Sequence, residues 1–200
     1  MANTDSPIGL VPIRNKNGKP WNGSFNKYYV PSTYATALFI GDPVVITGTS
    51  NTSGYRDNPP GTLPEINKAT AAGGNYISGV IVGFDNNPDD LSTVYNKAST
   101  ERMVYVVDDP DIVFMIQEDS AGTALAATSV GLNADLVYTH SGSTASGKSG
   151  AELDRSTANT TNTLQLKILR LLNRVDNAIG DSAMWEVMIN LHTQRYLTGI

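Results

Sequence analysis

The sequence predicts an all-β protein, a sandwich or barrel with an extended N-terminal arm, long loops and at most one or two short helices. Three observations carry that prediction. Apolar runs of strand length recur along the chain, several alternating with period two. Turn-forming residues separate them, with 18 glycines and 10 prolines among 200 residues. Helical periodicity is almost absent, and there is no internal repeat of fixed period.

Residues 1–27 hold Pro7, Pro12, Pro20 and the pairs Asn17-Gly18 and Asn22-Gly23, which rule out a helix. Ile8, Leu10, Val11 and Ile13 are nevertheless apolar, and Arg14, Lys16 and Lys19 follow closely. This segment reads as an arm docked on a neighbouring subunit, with a disordered tail as the alternative. Residues 28–200 then form one β-rich domain.

Strands are expected at Lys27 to Val30, at Ala35 to Phe39, and at Val44 to Thr47 after the Gly41-Asp42-Pro43 turn. Residues 48–74, with Pro59-Pro60, Pro64 and Gly73-Gly74, read as a long loop able to reach another subunit. Tyr76 to Phe84 is a near-continuous apolar run, as in a strand buried on both faces. Met103 to Val107 and Ile112 to Gln117 flank Asp108-Asp109-Pro110-Asp111 and read as a β-hairpin. Ala121 to Thr128 is the one helix candidate, Leu136 to Thr139 a strand, and Ser141 to Gly150 a flexible loop. Leu164 to Leu172 alternates and then slips register, which a β-bulge reconciles; a helix is its rival. In Met184 to Leu191, Trp185, Val187, Ile189 and Leu191 alternate with Glu186, Met188, Asn190 and His192, the pattern of a half-buried strand.

Composition narrows the partners. Charged residues make up 16% of the chain, below the usual ~25%, and Ser, Thr, Asn and Gly fill the gap. The net charge of −5 offers nothing that neutralises phosphate, so neither nucleic acid nor an anionic membrane is expected as partner. No apolar run is long enough for a transmembrane helix, and Met1 to Asn17 lacks the apolar core of a secretory signal, so synthesis in the cytoplasm is expected. Without cysteine, stability must come from packing, sheet hydrogen bonds or oligomerisation. The tyrosines (Tyr28, Tyr29, Tyr34, Tyr55, Tyr76, Tyr95, Tyr105, Tyr138 and Tyr196) suit either strand packing or a partly wet protein interface.

Motifs with catalytic or ligand-binding potential fail on context. Gly142 to Ser149 matches G-x-x-x-x-G-K-S, but no amphipathic helix follows to bring an N-terminus to phosphate. Asp85 to Asp90 spaces oxygens like a calcium loop, yet Asp90 and Asn96 stand where an EF-hand needs Gly and Glu. A looser cation site from Asp85 and Asp89, or from Asp108, Asp109 and Asp111, is weighed against solvated turn carboxylates, the default. His140 and His192 lie in unrelated segments, too few for a His-based zinc site, and no G-x-S-x-G elbow frames a nucleophile. The reading is of a protein that is not an enzyme and carries no cofactor or metal.

Several segments resemble the capsid cement, or head decoration, proteins of tailed bacteriophages, most closely the podovirus type. They are Pro7 to Pro12, Tyr28 to Ser32, Ala37 to Val44, Gly79 to Phe84, Val106 to Pro110, Val130 to Asp135, Leu164 to Arg170 and Ile189 to His192. The resemblance spans most of the chain. It implies a jelly-roll or related β-barrel fold and a place on the outer surface of the virion head. There the protein bridges major capsid protein subunits, as a symmetric dimer or trimer, and stabilises the shell against packaged DNA. The residues expected to make intersubunit contact are Ile8, Leu10, Val11, Ile13, Arg14, Lys16 and Lys19 in the arm, with Tyr55, Pro59 and Pro60 in the long loop. Arg14, Lys16 and Lys19 are expected to face acidic capsid surface. The alternatives are a tail- or fibre-associated β-domain of the virion, or a small-ligand enzyme or receptor module.

Overall fold

Among the described residues, every regular element of more than three residues is a strand. In the computed structural model, which describes residues 3–88 and 90–195, the chain opens with β1 (Val11–Asn15). Next come β2 (Asn26–Val30), β3 (Pro43–Ser50), β4 (Pro64–Lys68), β5 (Gly79–Phe84) and β6 (Arg102–Val107). These five close into a barrel in the order β2-β4-β3-β5-β6. Its pairs are antiparallel except β2 with β4, which meet in parallel at Tyr29 and Glu65. Closure leaves the barrel no free edge. Tyr28, Val30, Val44, Ile66, Ile81, Val104 and Val106 pack inside it.

The rest of the chain builds a second sheet from β7 (Ile112–Gln117), β8 (Asn133–Val137), β9 (Glu152–Asn159), β10 (Leu166–Leu171) and β11 (Met184–Ile189). Its order is β1-β7-β11-β10-β8-β9. A parallel bridge between Glu118 and Leu153 draws the chain just past β7 against β9, so the sheet curls towards closure. Phe114, Ile116, Leu136, Leu153, Leu166, Ile168, Trp185, Val187 and Ile189 fill the concave side. Val80 and Val107 of the barrel, with Ile77 just ahead of β5, join the same cluster, so a single core runs between the two units. The all-β expectation holds. Among the described residues the only helical turn is the 3-10 segment Ala127–Ser129, shorter than the helix expected from Ala121.

Four expectations change. The N-terminal arm is extended, but it is stitched into its own chain: β1 pairs with β7, Val11 opposite Met115 and Asn15 opposite Ile112. Leu10 is buried in the main core, and its N–H donates to the Gly41 carbonyl at 3.0 Å. Gly9, at φ 72°, approaches Gly41 so closely that a Cβ would stand 2.4 Å from that carbonyl oxygen. The supposed loop at 48–74 contains β4 and the end of β3, leaving a shorter turn around Tyr55 to Pro60. Met103 to Val107 and Ile112 to Gln117 are strands but not a hairpin; β6 lies in the barrel and β7 in the second sheet. Ala35 to Phe39 forms no regular strand, only a bridge from Leu38 to Asn96. By contrast, the register slip expected after Leu164 is present, between Ile168 and Arg170.

Candidate interaction face

The convex side of the second sheet can be read from register. Directly opposite residues of an antiparallel pair point to the same face. One row across the sheet is Val11, Met115, Glu186 and Arg170; the next is Arg14, Val113, Met188 and Lys167. Trp185, Val187 and Ile189 turn inward between them. The outer rows thus combine apolar side chains at the centre, of which Val11 and Met115 are half-buried and Val113 and Met188 are buried, with basic ones at both margins.

Glu186 is the exception, a carboxylate in the middle of this face with only 4% of its surface exposed. Arg14 reaches it at 2.6 Å and Arg170 at 2.9 Å. Burial alone would raise its pKa, yet the hydrogen bonds and charges of Arg170 and Arg14 outweigh that and hold it below the usual value. Two guanidinium groups therefore balance one carboxylate, and the face keeps a positive surplus.

That surplus extends at the margin. Lys16, Lys167 and Arg195, with Leu169, Met188 and Asn190, surround a shallow recess of about 210 Å³. Arg195 is tied to Asp111 at 3.0 Å and to the Pro110 carbonyl at 2.6 Å. Lys16, Lys19 and Lys167 are exposed and have no ion-pair partner among the described residues. On a chain of net charge −5, this is a local basic rim around an apolar strip.

The residues expected to touch other subunits fall into four groups. Arg14, Lys16 and Val11 belong to this face, and Lys19 stands on the exposed turn after β1. Ile8 and Ile13 are half-buried along the same N-terminal segment. Leu10 and Tyr55 are buried within the chain and are unavailable to a partner; Tyr55 packs with Leu63 and Met103. Pro59 and Pro60 are exposed on the β3–β4 connection, a turn held by the Asn51 amide on the Pro59 carbonyl at 3.0 Å. Arg14 is also less free than expected, because Glu186 holds it. Lys167, Arg170, Glu186 and Met188 were not expected at the site. The signal for the last two was present, since the alternation of β11 turns Glu186 and Met188 outward.

The motif candidates resolve into structural roles. Gly142 to Ser149 folds as a turn, with Gly147 N–H donating to the Ser143 carbonyl at 2.8 Å. The strand β9 follows it, so no helix N-terminus faces the loop. The Ser149 hydroxyl instead donates to buried Asp42 at 2.6 Å, beside Lys68 at 3.0 Å from the same carboxylate. Asp85 pairs with Arg56 at 2.5 Å, and its suggested companion Asp89 lies outside the described residues, as does Tyr196. Asp108 accepts hydrogen bonds from Asn26, Tyr28 and Gln194, while Asp109 accepts one from the Asp111 N–H. Burial first, and then the Asp108 hydrogen bond, raise the Tyr28 pKa well above its ordinary value. No helix among the described residues is long and apolar enough to cross a membrane. Comparisons with family models, with curated proteins and with solved structures found no match to this chain.

Proposed function

We propose that this chain is a structural virion protein that decorates the outer surface of an icosahedral phage head, seated through the convex face of its second sheet. The resemblance to capsid cement proteins supplies the class. The observation that carries the docking face is the half-buried apolar pair Val11 and Met115 rimmed by Lys16, Lys19, Lys167 and Arg170 on an otherwise acidic chain. Such a surface suits a partner with complementary acidic groups around an apolar centre, here the assembled major capsid protein. Rim lysines steer the encounter and set its salt dependence, while the apolar strip limits dissociation.

The mechanism is linkage. A subunit that binds the assembled lattice and not the free capsid protein stabilises the shell by mass action. Many copies, each with a modest interface, add across the lattice, and a symmetric dimer or trimer multiplies that effect by avidity. The test is to mix the purified protein with mature heads stripped of it and, separately, with unassembled capsid protein. Saturable binding to heads near lattice stoichiometry, weakened by salt and absent with free subunits, is expected. Equal binding to free subunits, or no binding to heads at low salt, overturns the proposal.

A further inference from the structure

Beside the N-terminal segment, three side chains that the docking face does not use come together. Glu152 opens β9, His140 follows β8 across the same pair of strands, and Asp5 arrives from the chain ahead of β1. One nitrogen of His140 and one carboxylate oxygen from each acid all lie within 4.8 Å of one another. His140 Nδ1 is 2.8 Å from Glu152 Oε2, and His140 Nε2 is 3.8 Å from Asp5 Oδ2. The Thr139 hydroxyl also donates to Glu152 Oε2.

Independently of that clustering, Glu152 is unsatisfied. It is only 1% exposed, and its Oε1 is buried without a hydrogen-bond partner among the described residues. A buried carboxylate oxygen left without a donor carries the full desolvation penalty of the group. His140 answers only the other oxygen, and Asp5 adds a second negative charge. A cation placed among the three satisfies the orphaned carboxylate and both charges together.

We propose that Asp5, His140 and Glu152 bind a single divalent transition-metal ion of the zinc class, with solvent completing its coordination. An imidazole with two carboxylates is a donor set for zinc, cobalt or nickel, whereas calcium and magnesium call for oxygen ligands throughout. Bonds of roughly 2.1 Å in a tetrahedron put neighbouring ligand atoms about 3.4 Å apart, so the cluster must contract a little. Asp5 and His140 are both exposed and outside any strand, so they are free to close on Glu152, which β9 fixes. The bound ion would clasp the N-terminal segment to the β8–β9 pair. That segment is also held by Gln117, which accepts from the Ser6 N–H at 3.1 Å and donates to the Thr4 carbonyl at 3.2 Å, and by Asn3, whose amide donates to the Ala178 and Asp181 carbonyls at 2.8 and 2.9 Å.

The test uses the full chain after chelator treatment, titrated with Zn²⁺ by calorimetry and with Co²⁺ by visible absorption. One equivalent is expected to bind with release of protons near neutral pH, to give Co²⁺ ligand-field bands, and to raise the melting temperature where Mg²⁺ does not. Asp5→Asn and His140→Ala, both at exposed positions, should each weaken binding at least about tenfold. Asp57→Asn, an exposed acid on the barrel turn, should leave it unchanged. Absence of saturable binding at millimolar Zn²⁺, or binding that survives both D5N and H140A, overturns the proposal.

Discussion

Glu118 lies immediately after β7 with none of its surface exposed, and its carboxylate is held from three directions. Trp185 Nε1 donates to it at 2.9 Å, the Leu125 N–H at 3.3 Å and Arg155 at 3.3 Å. Arg155 also reaches Asp181 at 2.7 Å and the carbonyls of Ala121 and Gly122, so this guanidinium ties the loop after β7 to β9. Burial raises the Glu118 pKa, although Trp185, Leu125 and Arg155 pull the other way. Removing one member of a buried pair strands the other charge, at a cost of about 3–5 kcal/mol. Arg155→Met should therefore lower the unfolding free energy in urea by that order, Glu118→Gln by less, and the double variant by less than the sum. Purely additive losses would show that the two residues do not act together. A second residue-scale prediction concerns His192, which is fully buried with Nε2 unpartnered and Nδ1 accepting from the Gln194 N–H at 3.2 Å. Burial, and then the nearby Arg195 charge, lower its pKa to about 4, against the partial opposition of Asp108 and Asp109. The unfolded chain thus binds the proton more readily than the folded one. This site's contribution is intact above the unfolded value of about 6.5 and is lost progressively as pH falls from there towards 4, by roughly 3 kcal/mol in total. Denaturant titrations across that window should show the loss in the wild type and a smaller one in His192→Asn.

At the scale of elements, β1 decides how the N-terminal region can be tested. Deleting residues 2–13 would remove Leu10 from the core and half of the pairing of β1 with β7, so it should destabilise the whole fold. Charge reversal at Lys16 and Lys19 leaves the strand intact and isolates any docking role. The β5–β6 pair is close enough that a Cβ on Gly79 would stand 2.5 Å from the Val107 carbonyl oxygen. Gly79→Ala should therefore cost about 1–3 kcal/mol, read as a lower urea midpoint at unchanged slope. Legibility varied by element for physical reasons. The alternation of β11 was plain because Trp185, Val187 and Ile189 join the main core while Glu186 and Met188 take the other face; that face is covered too, so the strand is buried from Trp185 to Ile189 and not half-buried as expected. The slip in β10 was plain for the same reason. β4 was hidden because Pro64, at its first position, reads as a loop residue. β9 was hidden because its buried positions include Glu152 and Arg155, whose polarity masks the period of two. The crossing from β6 to β7 resembled a hairpin because four acidic or turn residues suit either connection. Long-range bonds separate the strands into different sheets: Asp108 to Asn26 and Tyr28, and the Asp111 carbonyl to the Lys16 N–H at 2.7 Å.

Across the whole molecule, a closed barrel and a curled sheet share one core, and on the proposed function the sheet's convex face is the one that meets a partner. The basic members expected of that face, Arg14, Lys16 and Lys19, were visible in the sequence. Lys167 and Arg170 were not, because only the pairing of β10 with β11, and of β11 with β7, brings them towards β1. On the proposed function, Lys16→Glu with Lys167→Glu should leave the urea midpoint nearly unchanged while lowering occupancy of stripped heads at least about tenfold at low salt, with a shallower salt dependence. The most direct test of the docking account is a reconstruction of mature heads re-decorated with the purified protein. The account predicts density for the chain on the outer surface at near-lattice copy number, with the convex face of β1, β7, β10 and β11 against the shell. Density that seats the barrel against the shell with that face open to solvent would contradict it, as would heads that carry none of the protein.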